Sequence, residues 1–394
     1  MTTQLARRGW LGLGKEGSGT PGTYVVPAVT IPYTGSSGFE DIIASLRDES
    51  VRADDSVLHG VYQGPAHCEW AIDCLAYPDL LGHFLCATIG PDTVTPGTST
   101  ALSASTIAGA TAIQTAASLA AGTLVTIDTG PNLEYAWTDG AATGTGPYTS
   151  NVTTQWGKTG ANRVGLLYAH NSTVAVVGAT VHTFKQSPST ALPTYSLTYY
   201  DTLNYWSSSY VRFSDVQVKI DPKGTVSLST KAMGFPTVSA SSAVPAYTTY
   251  DPLLGWSWQM TAAGASSTRG LTFDGTIKRA VEAVASSDGT QGPREVFAGA
   301  IEYDATLKAI YENTTDISLY TQNTQLPFVV SAQQPIVRGG QSLSLTSSKS
   351  AWTKGKRDMA QPYVQADYSI SGVANTTDGG VVQAVLTNWV TTAY

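Results

Sequence analysis

The sequence predicts a mainly β protein: a β-sandwich or rolled-barrel core with one or two short helices, plus an inserted small all-β domain. Three observations predict it. Only 13% of the 394 residues are charged, against about a quarter in ordinary soluble domains, which leaves little material for Lys/Glu-rich amphipathic helices. Gly, Ser, Thr, Ala, Val and Tyr take their place, a balance that suits sheets joined by many turns. Apolar and polar residues also alternate with a period of two in many short segments separated by turn signals. Hydrophobic residues make up 42% of the chain, enough for a sizeable core.

The elements follow in order. Residues 1–38 form an N-terminal arm rich in Gly, Pro, Thr and Ser, in which single apolar residues such as Trp10, Leu13 and Ile31 have little to bury among themselves. The arm is expected to pack on its own domain or on a neighbouring subunit. Phe39, Ile42, Ile43 and Leu46 fall at helical spacing, and a polar loop follows over 47–55. Over 66–76 the pattern is that of a strand, with Ala66, Cys68, Trp70, Ile72, Cys74 and Ala76 on one face. His67, Glu69 and Asp73 take the other face, which makes them candidates for a solvated surface or the lumen of a channel. Residues 78–85 read as a short helix with Pro78 in its first turn and Gly90 as a stop.

From 95 to 186 the composition shifts to Ala, Thr, Gly and Ser, with a small-residue turn at 107–111, a strand at 124–127 and a Gly-rich hairpin at 143–146. Runs of Pro, Gly, Ser and Thr flank it, as expected for an insertion at a surface loop. The core is then discontinuous, 39–94 and 187–394. Its strands are predicted at 195–201, 211–220, 225–230, 256–261, 269–273 and 277–284. More are predicted at 295–303, 327–332, 341–346, 363–372 and 381–390. Asp221-Pro-Lys-Gly224 marks a hairpin turn. A second helix is predicted over 304–313, with Leu307, Ile310 and Tyr311 on one face.

Chemistry has little to hold on to. The net charge of −7 and the absence of a basic run argue against a protein that grips nucleic acid; the cluster Lys354, Lys356, Arg357 reads as a solvated loop. Cys68, Cys74 and Cys86 are an odd number in one short stretch, which is no disulfide framework. With His59, His67 and His83 nearby they still lack ligand spacing, so no metal site is predicted. Glu69 and Asp73 lie about 13 Å apart by strand rise, too far to share one bond as an acid/base pair. Gly12 to Gly17 matches a dinucleotide fingerprint by letter, but no strand is predicted before it and no helix after it, so a flexible arm is the reading. Trp256 and Trp258 share a predicted strand face with Met260, where core packing outweighs an aromatic platform. The expectation is a protein with no catalytic residue and no cofactor. No signal peptide and no membrane-length apolar run is recognised, so synthesis in a cytoplasm is expected.

Several short pieces occur in a telling order. Trp10-Leu-Gly-Leu-Gly-Lys-Glu16 precedes Thr20-Pro-Gly-Thr-Tyr-Val-Val-Pro27, and then come Leu46-Arg-Asp-Glu-Ser50, Val61-Tyr-Gln-Gly64, the strand from Cys68 to Leu75, and Tyr77-Pro-Asp79. After the insertion follow His182-Thr-Phe184, Pro193 to Tyr199, Thr230 to Pro236, Ile277-Lys-Arg279 and Gly292-Pro-Arg-Glu295. This order resembles the major tail tube proteins of long-tailed bacteriophages, in particular those of actinobacterial phages. The segment with Ala108-Gly-Ala-Thr-Ala-Ile113, Ala121 to Gly130, Glu134 and Leu166-Leu-Tyr-Ala-His170 resembles a small β-module that recurs in phage and bacterial surface proteins.

The resemblance implies a structural virion protein with a tail-tube-type fold. Copies would close into a hexameric ring, and rings would stack into a tube assembled in the host cytoplasm. Its partners would be itself, the tape measure, tail terminator and tail tip proteins, and viral DNA passing through without specific binding; no membrane is implied. The module would sit on the outer surface, and His67, Glu69 and Asp73 would be lumen-facing candidates. Two alternatives stay open: a surface-displayed carbohydrate-binding β-protein, and a capsid or decoration protein.

Overall fold

The computed structural model describes residues 5–35, 37–312, 314–360 and 362–394. Strand accounts for 49% of the chain and helix for 8%, so the protein is mainly β. Strands β1 (Trp10–Lys15), β2 (Val29–Ile31), β3 (Gly38–Asp48) and β4 (Gly60–Leu75) come first, and helix α1 (Pro78–Thr88) follows. After β5 (Asp92–Thr95) come β6 (Ser99–Ala101), β7 (Ala112–Thr115), β8 (Leu124–Ile127), β9 (Glu134–Thr138), β10 (Tyr148–Thr153) and β11 (Ala175–Gly178). Next are β12 (Thr180–Phe184), β13 (Tyr195–Tyr200), β14 (Tyr205–Ile220), β15 (Ser227–Gly234), β16 (Gln259–Ala262) and β17 (Ala265–Ser267). The last third holds β18 (Gly270–Val284), β19 (Glu295–Ile310), α2 (Thr315–Thr321), β20 (Leu326–Gln333), β21 (Ser342–Asp358), β22 (Gln365–Gly372) and β23 (Gln383–Asn388).

Eight antiparallel strands make one continuous surface in the order β3-β4-β15-β14-β18-β19-β22-β21. Two of them are long enough to serve a second layer as well. The first part of β14 pairs with β13, which continues through β1 to β2. The first half of β21 pairs with β20 and β23, and β23 leads on to β12 and β5. The sheets include a half-barrel. Helix α1 is packed into the core these layers enclose, burying Leu80, Leu81, Phe84 and Leu85; Phe84 meets Phe213 edge to face at 5.3 Å. Its last carbonyls are satisfied by Arg279, whose guanidinium donates to the carbonyls of Thr88 and Ile89.

Strands β6 to β11 form a separate six-stranded sheet, ordered β6-β11-β8-β9-β10-β7. It closes over its own core of Leu102, Ile113, Val125, Ile127, Val152 and Val176, among others. Leu124, Ala179 and Ile336 join it to the rest of the protein, with Trp137, Trp156 and Trp389 packed around them. Strand β12, which follows directly, pairs with β5 and β23 in the large sheet.

Several local expectations are corrected. Residues 39–46 form no helix; they lie in β3, which projects past Asp41 with most of its residues exposed, so apolar spacing there answers to no core of this chain. Nor is 304–312 helical, and residue 313 of that predicted helix lies outside the described residues. Strand β19 runs to Ile310, burying Ile301, Tyr303, Ala305, Leu307 and Ala309 at every second position, and the second helix is α2. Gly12 and Gly14 lie inside β1, in no flexible arm. There the chain at 25–27 crosses so closely that a Cβ on Gly12 would meet Pro27 at 2.6 Å. Lys354, Lys356 and Arg357 belong to β21 and not to a loop. Trp256 sits on a 3-10 turn, Gly255–Ser257, outside the strand that holds Met260.

Candidate functional site: the polar face of the eight-stranded sheet

The alternation read over 66–76 is the burial pattern of β4: Ala66, Cys68, Trp70, Ile72 and Cys74 are buried, and Glu69 and Ala71 are exposed. The three cysteines are unpaired and buried, and burial pushes the thiol of Cys74 up to about 12. They behave as small hydrophobic side chains. Among the described residues no group of three His, Cys, Asp or Glu side chains is placed to hold a metal ion.

His67, Glu69 and Asp73 share the face turned away from that core, and His67 Nε2 lies 3.5 Å from Glu69 Oε1. Cross-strand register carries this face over the whole sheet. Ala71 pairs with Lys231, and Lys231 with Asp215. Asp215 then pairs with Lys278, and Lys278 with Glu302. A parallel row runs from Asp73 through Ser229, Gln217, Thr276 and Asp304 to Ser371. At the far end Lys308 pairs with Asp367, and Asp367 with Lys356.

Most charge on this face is matched. Lys278 Nζ reaches Asp304 at 3.1 Å, Gln217 donates to both oxygens of Asp274, and Ser371 donates to Asp304. The β3 end differs. Glu40 stands directly opposite Glu69 in the register, and both line a 580 Å3 depression that also holds Lys231, Met233 and Ser214. Like charges placed opposite one another work against folding. Sequence reasoning missed Glu40 because the helical spacing read over 39–46 put it on no strand. The neighbouring strand's register is what finds it.

Replacing Glu40 with Gln should therefore raise stability by about 0.2–1 kcal/mol at low salt, and the gain should shrink at high salt as screening sets in. Urea unfolding at two ionic strengths measures it. A variant no more stable at low salt would mean that the two carboxylates do not oppose each other.

Beyond Asp41 the β3–β4 hairpin stands clear of the core and exposes Ile43, Leu46, Val51, Val57, Val61 and Tyr62. Both long edges of the sheet are open. Strand β3 has no partner beyond β4, and the second half of β21, residues 351–358, pairs only with β22, among the described residues. Such edges are a template for another chain. A scan against protein-family models and a search of curated proteins find no match to this sequence.

Proposed function

We propose that the protein is a structural virion component, the major tail tube subunit of a long-tailed phage, which polymerises as stacked six-membered rings around a DNA-conducting bore. One observation carries the reading: an eight-stranded sheet with one face in the core, the other polar and uncovered, and an unpaired strand at each end. A ring of copies joins β3 of one subunit to the second half of β21 in the next, and no free edge is left. The exposed face then lines the bore. Its matched charges and Ser/Thr rows give DNA no patch to neutralise, and the Glu40–Glu69 end repels phosphate. His67, Glu69 and Asp73 belong to that lining. The apolar hairpin of β3 and β4 is the contact to the adjacent ring, and the six-stranded module of β6 to β11 decorates the outside.

Negative-stain microscopy of purified protein tests the assembly, with and without tail assembly partners. Rings or rods support the tube, shells support a capsid protein, and single particles at every concentration and salt defeat the proposal. Edge pairing has its own readout. The native thiols are buried, so Ala44→Cys or Leu46→Cys combined with Thr353→Cys or Arg357→Cys reports only new contacts. Cross-strand neighbours lie within disulfide reach. Oxidised assemblies should give a ladder of covalent oligomers ending at the ring size. Assembled rings without any such ladder would rule this edge pairing out.

A further inference from the structure

A second surface has a different chemistry. Where the six-stranded module meets the rest of the protein, a 550 Å3 cleft opens, lined by Trp156, Trp256, Trp258, Gln155, Gln259 and Gln333 among others. Its size lies within the range of small-molecule sites. No Asp, Glu, Lys, Arg or His lines it.

Each wall is built. Trp156 comes from the module, and its indole Nε1 donates to the Gln334 carbonyl at 2.6 Å, which fixes the ring across the junction. Trp256 comes from the 3-10 turn at 255–257. That turn docks so tightly on the Asp221–Gly224 hairpin that a Cβ on Gly255 would lie 1.9 Å from the Asp221 carbonyl oxygen. Ser257 anchors the turn from the other side by donating to the Gln333 carbonyl. Trp258 leans on Phe273, with ring centroids 6.4 Å apart. Trp256 has no such ring neighbour among the described residues and stands 63% exposed, which leaves most of its apolar surface in water.

We infer that this cleft binds a neutral carbohydrate. A pyranose ring has an apolar C–H face that stacks on an indole, and a rim of hydroxyls that both donate and accept. The amide side chains of Gln155, Gln259 and Gln333 offer both functions too. A charge-free lining disfavours phosphates, nucleic acid and acidic sugars, which need a cation. A proline-rich peptide could also lie on aromatic rings, but its backbone presents mainly acceptors and would leave half of the amide groups unmatched. The inference stands apart from the tube proposal, since the cleft is complete within one chain.

The test is a titration of the full chain with maltotriose, mannotriose and the N-acetylglucosamine trimer, read by tryptophan fluorescence and by ligand-observed NMR. At least one should bind saturably. Trp256→Ala should then weaken binding by about tenfold or more, and Gln259→Ala by a few-fold, with melting temperatures unchanged. No saturable binding by any of the three, binding untouched by Trp256→Ala, or saturation by an oligoproline peptide alone would each overturn it.

Discussion

Glu16→Ala is expected to destabilise the protein by about 3–5 kcal/mol, the range for removing one member of a buried charged network. Glu16 is only 3% exposed, and its carboxylate accepts four hydrogen bonds. Oε2 takes the Gly22 N–H at 2.7 Å and the Thr194 hydroxyl at 2.6 Å. Oε1 takes the Ser196 hydroxyl and the Tyr210 N–H, both at 2.8 Å. One side chain thus ties the turn after β1 to β13 and to β14. Alanine leaves two half-buried backbone N–H groups, of Gly22 and Tyr210, without an acceptor. Glu16→Gln should do almost as badly, because its NH2 must face one of those N–H donors. Urea unfolding gives the loss, and limited proteolysis should show new cleavage near 17–24 in both variants. A loss below about 1 kcal/mol in Glu16→Ala would mean that the network contributes nothing net.

Much of this arrangement was legible in the sequence, and where it was not the reason is physical. Strand β4 and helix α1 were readable because each has one face in a core of this chain, so the burial period is written into the residues. Strand β19 carries the same period over 301–309, but Leu307, Ile310 and Tyr311 also satisfy a helical spacing, and short apolar runs fit both. Strand β3 fails for another reason. Its outer residues are exposed on both faces, so nothing in this chain sets their pattern. The polar face itself could be guessed only strand by strand. Its continuity, and the meeting of Glu40 with Glu69, are matters of register between strands, which local patterns do not specify.

The short pieces that carried the resemblance have local physical roles, whatever the chain's relatives are. Glu16 holds the first turn, Lys15 donates to the Tyr394 carbonyl, and Arg279 caps α1. In the module, Glu134 and His170 meet as a buried pair. His170 Nε2 lies 2.5 Å from Glu134 Oε1, its Nδ1 lies 3.2 Å from Asp128 Oδ2, and Glu134 also accepts from the N–H groups of Leu167 and Tyr168. These buried polar contacts pin the loops of a six-stranded sheet whose own core is small.

Acid should expose a weak point at His83. Its ring sits edge-on between Tyr195 and Tyr394, with centroids 6.1 and 5.0 Å away, and its Nδ1 is sealed off without a hydrogen-bond partner. Burial, helped by the positive charge of Lys15, lowers its pKa to about 4, whereas in the unfolded chain it titrates near 6.5. The unfolded state therefore takes up the proton first as the pH falls. The contribution of His83 is fully present above about pH 6.5 and is lost progressively towards pH 4, up to about 3 kcal/mol in all. His182 works in the opposite sense. Burial lowers its pKa, but the contacts to Asp92 and the Val390 carbonyl outweigh that and raise it, so its contribution is complete below about 6.5 and fades as pH rises through the shifted value. His83→Phe keeps the edge-on aromatic contacts and removes the titration. The stability gap between wild type and His83→Phe, followed by thermal unfolding from pH 7.5 to 4.5, should move in favour of the variant by about 2–3 kcal/mol. A gap that stays constant over that span would show that His83 is protonated as readily in the folded protein as in the unfolded chain.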